Sequence, residues 1–189
     1  MSIFTVIGDI GVTLRKLLED DPWVDVDPKP EITFKSPKEI KDEGGSANKV
    51  SIFLYHIHEN PYIRNAEPLR VNDSLLQPPP LSLDLLYLVT PYSNYKTQEK
   101  IILGKVMQIF HDNPILTGTV LKESLSGTDE EIKLLFNPIS LDDLTKIWSA
   151  FQEVAYRLSV SYMVTPIRID STRQLGMQRV TSKETKYSH

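Results

Sequence analysis

Apolar residues recur along this chain with two periods, and the places where the period changes mark out its elements. Near the start, Ile3, Ile7, Ile10, Leu14 and Leu17 follow one another at steps of three and four. That spacing predicts one face of a helix. Gly8 and Gly11 interrupt it, each costing about 1 kcal/mol relative to Ala. Close approach of another backbone, from this protein's own sheet or from a neighbouring subunit, would explain them. Asp20-Asp21-Pro22 ends the helix, and Pro22, Pro28 and Pro30 hold the following chain extended. Ile32-Thr33-Phe34 then reads as a short strand closed by Ser36-Pro37. The charged, Gly-containing segment 38–48 reads as a loop.

The stretch from Val50 to Tyr92 carries the strongest strand signals. Val50–His58 has Val50, Ile52 and Leu54 on one side and Phe53, Tyr55 and Ile57 on the other. A strand apolar on both sides belongs inside a covered sheet or at a subunit contact. A Pro- and Asn-rich excursion follows, breaking at Glu59-Asn60-Pro61 and passing Arg64-Asn65. Pro78-Pro79-Pro80 then launches a second strand, in which Leu81, Leu83, Leu85, Tyr87 and Val89 alternate with Ser82, Asp84, Leu86 and Leu88. The helical period returns over 97–112, with Ile102, Val106, Ile109 and Phe110 as its stripe. Ile132–Phe136 is a strand. Ser140, with Asp143 at the capping-box position, opens a helix that points Leu144, Ile147, Trp148 and Phe151 inward. Leu158–Ile169 is the last long strand, and Pro166 assigns its far half to an edge. The order is α-β-β-β-α-β-α-β, with several connections too short for parallel crossovers. This predicts an α+β domain over 1–170: one mixed or mainly antiparallel sheet flanked by about three helices. Residues 171–189 show no helical period. They read as an extended, flexible, basic C-terminal arm able to add as a strand to a partner.

Bulk properties narrow the function. The chain has 189 residues, enough for a sizeable core. It has no cysteine, which removes disulfides, thiolate metal sites and cysteine nucleophiles. No run of about 18 apolar residues predicts a membrane span. The first residues lack the basic segment of a signal peptide, so they read as part of the mature helix. Net charge is −4, which weighs against nucleic acid as a partner. The arm carries Arg173, Arg179, Lys183 and Lys186 against Glu184, a net +3, so the body carries −7. A basic arm on an acidic body fits a protein partner, or a place against this body or its neighbour's.

Catalytic motifs are absent: no nucleophile elbow, P-loop, dinucleotide fingerprint or H-E-x-x-H occurs. His56 and His58 share a strand face and could share a metal, with Asp84 as the one carboxylate able to approach. Glu59 points the other way and no third histidine is near. Surface or interface histidines are therefore the simpler reading over a histidine-dependent metal enzyme. No cofactor is expected. The carboxylate pairs, Asp142-Asp143 among them, sit at helix starts and in polar loops, where a helix dipole favours them without chemistry. Tyr55, Tyr62, Tyr87, Tyr92 and Tyr95 cluster with Arg64. Without interleaved basic residues they make a poor base-stacking platform. They suit a protein interface.

These pieces, in their order, resemble the cap, or tail-terminator, proteins of contractile injection systems, the phage-tail-like particles of the antifeeding-prophage and Photorhabdus-virulence-cassette type. The resemblance covers nearly the whole chain. It rests on Leu14-Arg15-Lys16-Leu17-Leu18 in the opening helix, and on Leu54-Tyr55, Glu59-Asn60-Pro61 and Arg64-Asn65 in the central strand and turn. Pro79-Pro80-Leu81, Leu83-Asp84-Leu85 and Thr90-Pro91-Tyr92 follow in the next strand. Leu103-Gly104, Met107-Gln108 and Pro114-Ile115-Leu116 carry it through the long helix, and Trp148 with Tyr156–Tyr162 through the end. The resemblance implies a non-enzymatic homo-hexameric ring that ends the inner tube and contractile sheath and helps fix particle length. Assembly would be cytoplasmic, and the particle either intracellular or released. The implied partners are the inner tube protein and the sheath protein, with no nucleic acid and no membrane. A baseplate or tube-initiation role in the same kind of particle is the alternative. Under this reading Tyr55, Tyr62, Arg64 and Asn65 are expected at subunit interfaces. Arg173, Leu175, Met177, Arg179 and Lys183 are expected in an arm that binds sheath, reaching about 60 Å at full extension.

Overall fold

The computed structural model describes residues 4–43, 47–63, 67–72, 75–173 and 175–176. In chain order the elements are helix α1 (Val6–Asp20), strand β1 (Glu31–Thr33), helix α2 (Pro37–Glu43), and strands β2 (Lys49–Glu59), β3 (Leu69–Asn72), β4 (Leu75–Gln77) and β5 (Leu81–Tyr92). Helix α3 (Lys96–Asp112), strands β6 (Ile115–Leu116) and β7 (Ile132–Phe136), helix α4 (Leu141–Ser149), and strands β8 (Val160–Ile169) and β9 (Leu175–Gly176) complete it. A six-stranded sheet has the order β1-β2-β5-β8-β7-β6. β1 runs parallel to β2 and the other pairs are antiparallel. This is the mixed, mainly antiparallel α+β sheet that the strand pattern predicts. A second, small sheet, β3-β4-β9, closes on the first residues of the C-terminal segment.

Helices α1 and α3 cover one face of the large sheet. Ile10, Leu14 and Leu18 from α1 and Ile102, Val106 and Phe110 from α3 pack on Ile52, Leu85, Val89 and Val164. The stripe of α1 is turned slightly from the predicted one: Val6, Ile10, Leu14 and Leu18 are buried, while Ile7 and Leu17 are half-buried. Polar ties fix what comes against it. The Asp9 carboxylate accepts from Thr5 Oγ1 (3.0 Å) and from Ser124 Oγ, and Thr13 Oγ1 accepts from Lys122 N (3.1 Å). Those bonds hold the 3-10 turn Glu123–Leu125 on α1, with Leu121 and Leu125 buried beside it.

Helix α4 lies on the opposite face, over Leu88, with Leu144 and Trp148 buried. Its start follows the predicted capping box: Ser140 Oγ accepts from Asp143 N (3.1 Å) and donates to the Asp143 carboxylate (2.7 Å). Phe151 lies just past the helix and packs edge-on against Trp148 and Phe53.

Several expectations need correction. Segment 38–48 is not all loop, because Pro37–Glu43 is helical. Its cap is a capping box, in which Ser36 N and Oγ both donate to Glu39 (2.7 Å each) with Pro37 at the first helical position. Gly11 meets no backbone. A Cβ there would lie 3.4 Å from the Phe34 ring, and one at Gly8 would meet nothing within 4 Å. The predicted faces of β2 also fail past Leu54, where the register with β5 shifts at Tyr55. This bulge carries Ile57 onto the Ile52–Leu54 side, opposite Leu85. The far half of β8 behaves as predicted: β7 pairs only up to Thr165, and residues beyond Pro166 pair with β5 alone.

Candidate assembly surfaces

The bulge in β2 decides where the polar groups of this strand go. His56 and His58 fall on the α4 side of the sheet, with ring centroids 5.7 Å apart. His58 Nε2 lies 3.2 Å from Asp84 Oδ2, the approach that the sequence allowed. The other Asp84 oxygen is already engaged: it accepts from Asn60 Nδ2 (2.9 Å) and from Thr165 Oγ1. Asp84 and Asn60 are buried, and Asn60 Oδ1 accepts from Tyr62 N (3.0 Å), which closes the turn after β2. The cluster therefore ties three strand ends and a turn together. Among the described residues no three His, Asp or Glu side chains converge on one point.

The tyrosines divide by burial. Tyr55 OH pairs with Ser161 Oγ (3.0 Å), and Asn137 Nδ2 donates to it (3.4 Å), so its hydroxyl is engaged inside the fold. Burial raises the Tyr87 phenol well above the ordinary range. It also pushes Tyr92 up to about 12, against the pull of Arg157, whose guanidinium sits 4.9 Å from the ring centroid. Both stay protonated at neutral pH and are unsuited to proton transfer there. Tyr62 is 93% exposed at the tip of its turn. Arg64, Asn65, Met177, Arg179 and Lys183 lie outside the described residues. Arg173 is exposed. Leu175 stands opposite Leu76 in β9, so the start of the C-terminal segment pairs with its own chain.

One surface was not singled out in the sequence. β1 pairs with only the first three residues of β2, Lys49 to Ser51. Its chain then peels away, with Ser51 Oγ donating to Lys35 O (2.7 Å) at the parting. From residue 52 to 59 the outer edge of β2 has no strand beside it among the described residues. Alternate main-chain N–H and C=O groups along that length point outward, a template for another strand. Beside the edge runs an apolar groove of about 250 Å³, lined by Ile7, Gly8, Gly11, Phe34, Ile52 and Leu54. The glycines leave it open on the α1 side. Phe34 in its lining is 40% exposed, and Ile57, further along the same side of β2, is 39% exposed. The shortness of β1 beside a long, doubly apolar β2 was the available signal.

Comparison with curated proteins finds no match. Solved structures do match. The sheath/tube terminator of PVC, an extracellular contractile injection system, in its extended state aligns with a TM-score of 0.67 at 22% identity, over 100% of this chain and 65% of that one. The tube-terminating cap of the anti-feeding prophage aligns with a TM-score of 0.62 at 20% identity, over 99% of this chain and 62% of that one. The chain thus spans less than two thirds of the length of either. At such identities the likeness shows the fold, an α+β architecture shared from end to end. The family model of the Pvc16 N-terminal domain matches residues 9–183, and the chain belongs to that family.

Proposed function

We propose that this chain is a structural cap of a contractile injection system, a ring of six copies that ends the inner tube and the sheath and helps fix particle length. The observation that carries this reading is the extent of the match: the family covers 9–183, and the fold runs the full chain in structures described as terminators and caps. The geometry agrees with it. Buried polar groups here are used to lock strands and turns, as at Asp84 and Asp9, while the unsealed parts are an apolar groove and a strand edge. Such surfaces suit assembly more than turnover. A closed ring needs two unlike surfaces per subunit, and the β2 edge supplies one. The partners are the inner tube protein and the sheath protein, neither role requires a cofactor, and assembly takes place in the cytoplasm before the particle is complete.

The test is removal of the gene from a particle-producing strain. Sheathed tubes are expected to lose their uniform length, seen as a broad length distribution by electron microscopy. Tubes of normal length with closed ends would contradict the proposal.

A further inference from the structure

A cavity of about 390 Å³ lies where helix α2, the start of β2, the end of β5 and the loop after α4 meet. Three of its lining residues are cations: Lys41 from α2, Lys49 from β2 and Arg157 from the loop. They stand against a single lining carboxylate, that of Glu153. The chain as a whole carries net −4, so the lining reverses its charge locally. These cations come from segments far apart in sequence, and only the fold gathers them.

Two of the three are steadied by carboxylates outside the lining. Arg157 Nη1 donates to Glu99 Oε1 (2.5 Å), and Lys49 Nζ donates to Glu43 Oε2 (3.2 Å) with Glu31 at 4.0 Å. Arg157 spends one N–H of its fork there, and its guanidinium lies over the Tyr92 ring, which also lines the cavity. Lys41 is matched differently: its Nζ donates to the main-chain oxygen of Glu153 (2.5 Å), a neutral acceptor. That bond pins a strained wall. Gln152 (φ 26°) and Glu153 (φ 62°) both lie in the left-handed region, which residues with a side chain avoid unless their surroundings hold them there.

The rest of the lining includes apolar walls, with Pro37 and Ile40 on α2 and Val154 in the loop. The rim is open, since Lys41, Asn94 and Glu153 are exposed. A site for a free small molecule encloses most of its ligand. This one is a trough, suited to a side chain that enters from a polypeptide laid across the rim. Ammonium and guanidinium donors between apolar walls match a carboxylate on a short aliphatic stem. We propose that the cavity binds an acidic segment of a partner polypeptide, with a carboxylate between Lys41 and Arg157 and aliphatic neighbours against Ile40 and Val154. This binding does not depend on the place of the chain in a particle.

The test titrates the full chain with the capped peptide LEDEL and with its uncharged isostere LQNQL. NMR follows the backbone amides, the Asn94 side-chain amide and the Arg157 Nε–H group. The acidic peptide is expected to shift Asn94, Arg157 and the amides of 153–157 at millimolar or lower concentration, and to lose affinity as salt rises. The isostere is expected to shift none of them. Lys41→Gln is expected to weaken binding about fivefold. Glu153→Gln removes the opposing carboxylate and is expected to strengthen it by a similar factor. Both positions are exposed, and circular dichroism checks that the fold is kept. A merely structural role for these residues would not move affinity in opposite directions. No shift at the cavity, equal shifts with LQNQL, or changes of the same sign in both variants overturns the inference. Equal shifts with succinate at the same concentration also overturn it, because the site would then take free carboxylates. Each of these failures leaves the cap reading standing, which falls only to normally capped tubes in the strain without the gene.

Discussion

The two faces of the large sheet are closed in different ways. On one, α1 and α3 lay side chains from Ile10 to Phe110 onto a continuous apolar floor, and Phe110 stands edge-on to Tyr162 at 4.9 Å. On the other, the short α4 seals only the region around Leu88, and the rest is held by hydrogen bonds through Asp84, Asn60 and Thr165. The first face accounts for why the chain folds. What stays open lies at the margin of that first face: the groove beside α1 and the outer edge of β2 from residue 52 are uncovered among the described residues. Under the proposed role as one unit of an assembly, the chain does not have to close every face of itself.

That contrast is sharpest at Phe110. Phe110→Ala removes a fully buried ring and is expected to cost about 4 kcal/mol, read as a lowered midpoint in urea unfolding. Loss of less than about 1 kcal/mol would mean that the helix-covered face is not the main source of stability. On the polar face, Asp84→Ala leaves the Asn60 amide and the Thr165 hydroxyl without their shared acceptor. It is expected to cost about 2 kcal/mol, and hydrogen exchange should show the Tyr62 amide opening first. An effect as large as that of Phe110→Ala would erase the distinction between the faces.

The smallest effect belongs to the cap of α4. Ser140→Ala is expected to cost about 1 kcal/mol, visible as faster amide exchange at Asp143 and Leu144 with α1 and α3 unchanged. The bond from Ser140, helped by Lys146, holds the Asp143 carboxyl below its ordinary range. Its folded value is the depressed one, so this contribution is present above the unfolded value and fades as pH falls through the folded one. Fraying of α4 on acidification, absent in the Ser140→Ala protein, would show that the cap is the cause. Identical acid fraying in both would assign it elsewhere.

What was legible in the sequence was whatever local period governs. The stripe of α3, the alternation of β5 and the Ser140 box all act within a few residues, and the structure keeps them; the stripe of α1 it keeps with a slight turn toward Val6 and Leu18. The capping box of α2 was equally local. Ser36-Pro37-Lys38-Glu39 is a helix-start signal that the surrounding charge and glycines obscured, since only Pro37 and Ile40 in that helix are buried. Non-local features were not legible. The β3-β4-β9 sheet depends on two short strands meeting a segment about a hundred residues later. The Tyr55 bulge arises from the pairing with β5, because alternation continues through it in the sequence. The open β2 edge is a difference in length between two paired strands, visible only once they are known to pair. The same limit applies to the interface residues: Tyr55 looked like Tyr62, yet one hydroxyl is held by Ser161 and the other side chain stands in solvent.

The proposed place of this chain in a particle is open to direct view by electron cryo-microscopy of intact, uncontracted particles with this subunit resolved. A closed ring of six copies is expected on the last layer of inner tube and sheath, at the end away from the baseplate. Density for this chain at the baseplate, or a tube end closed without it, would contradict it.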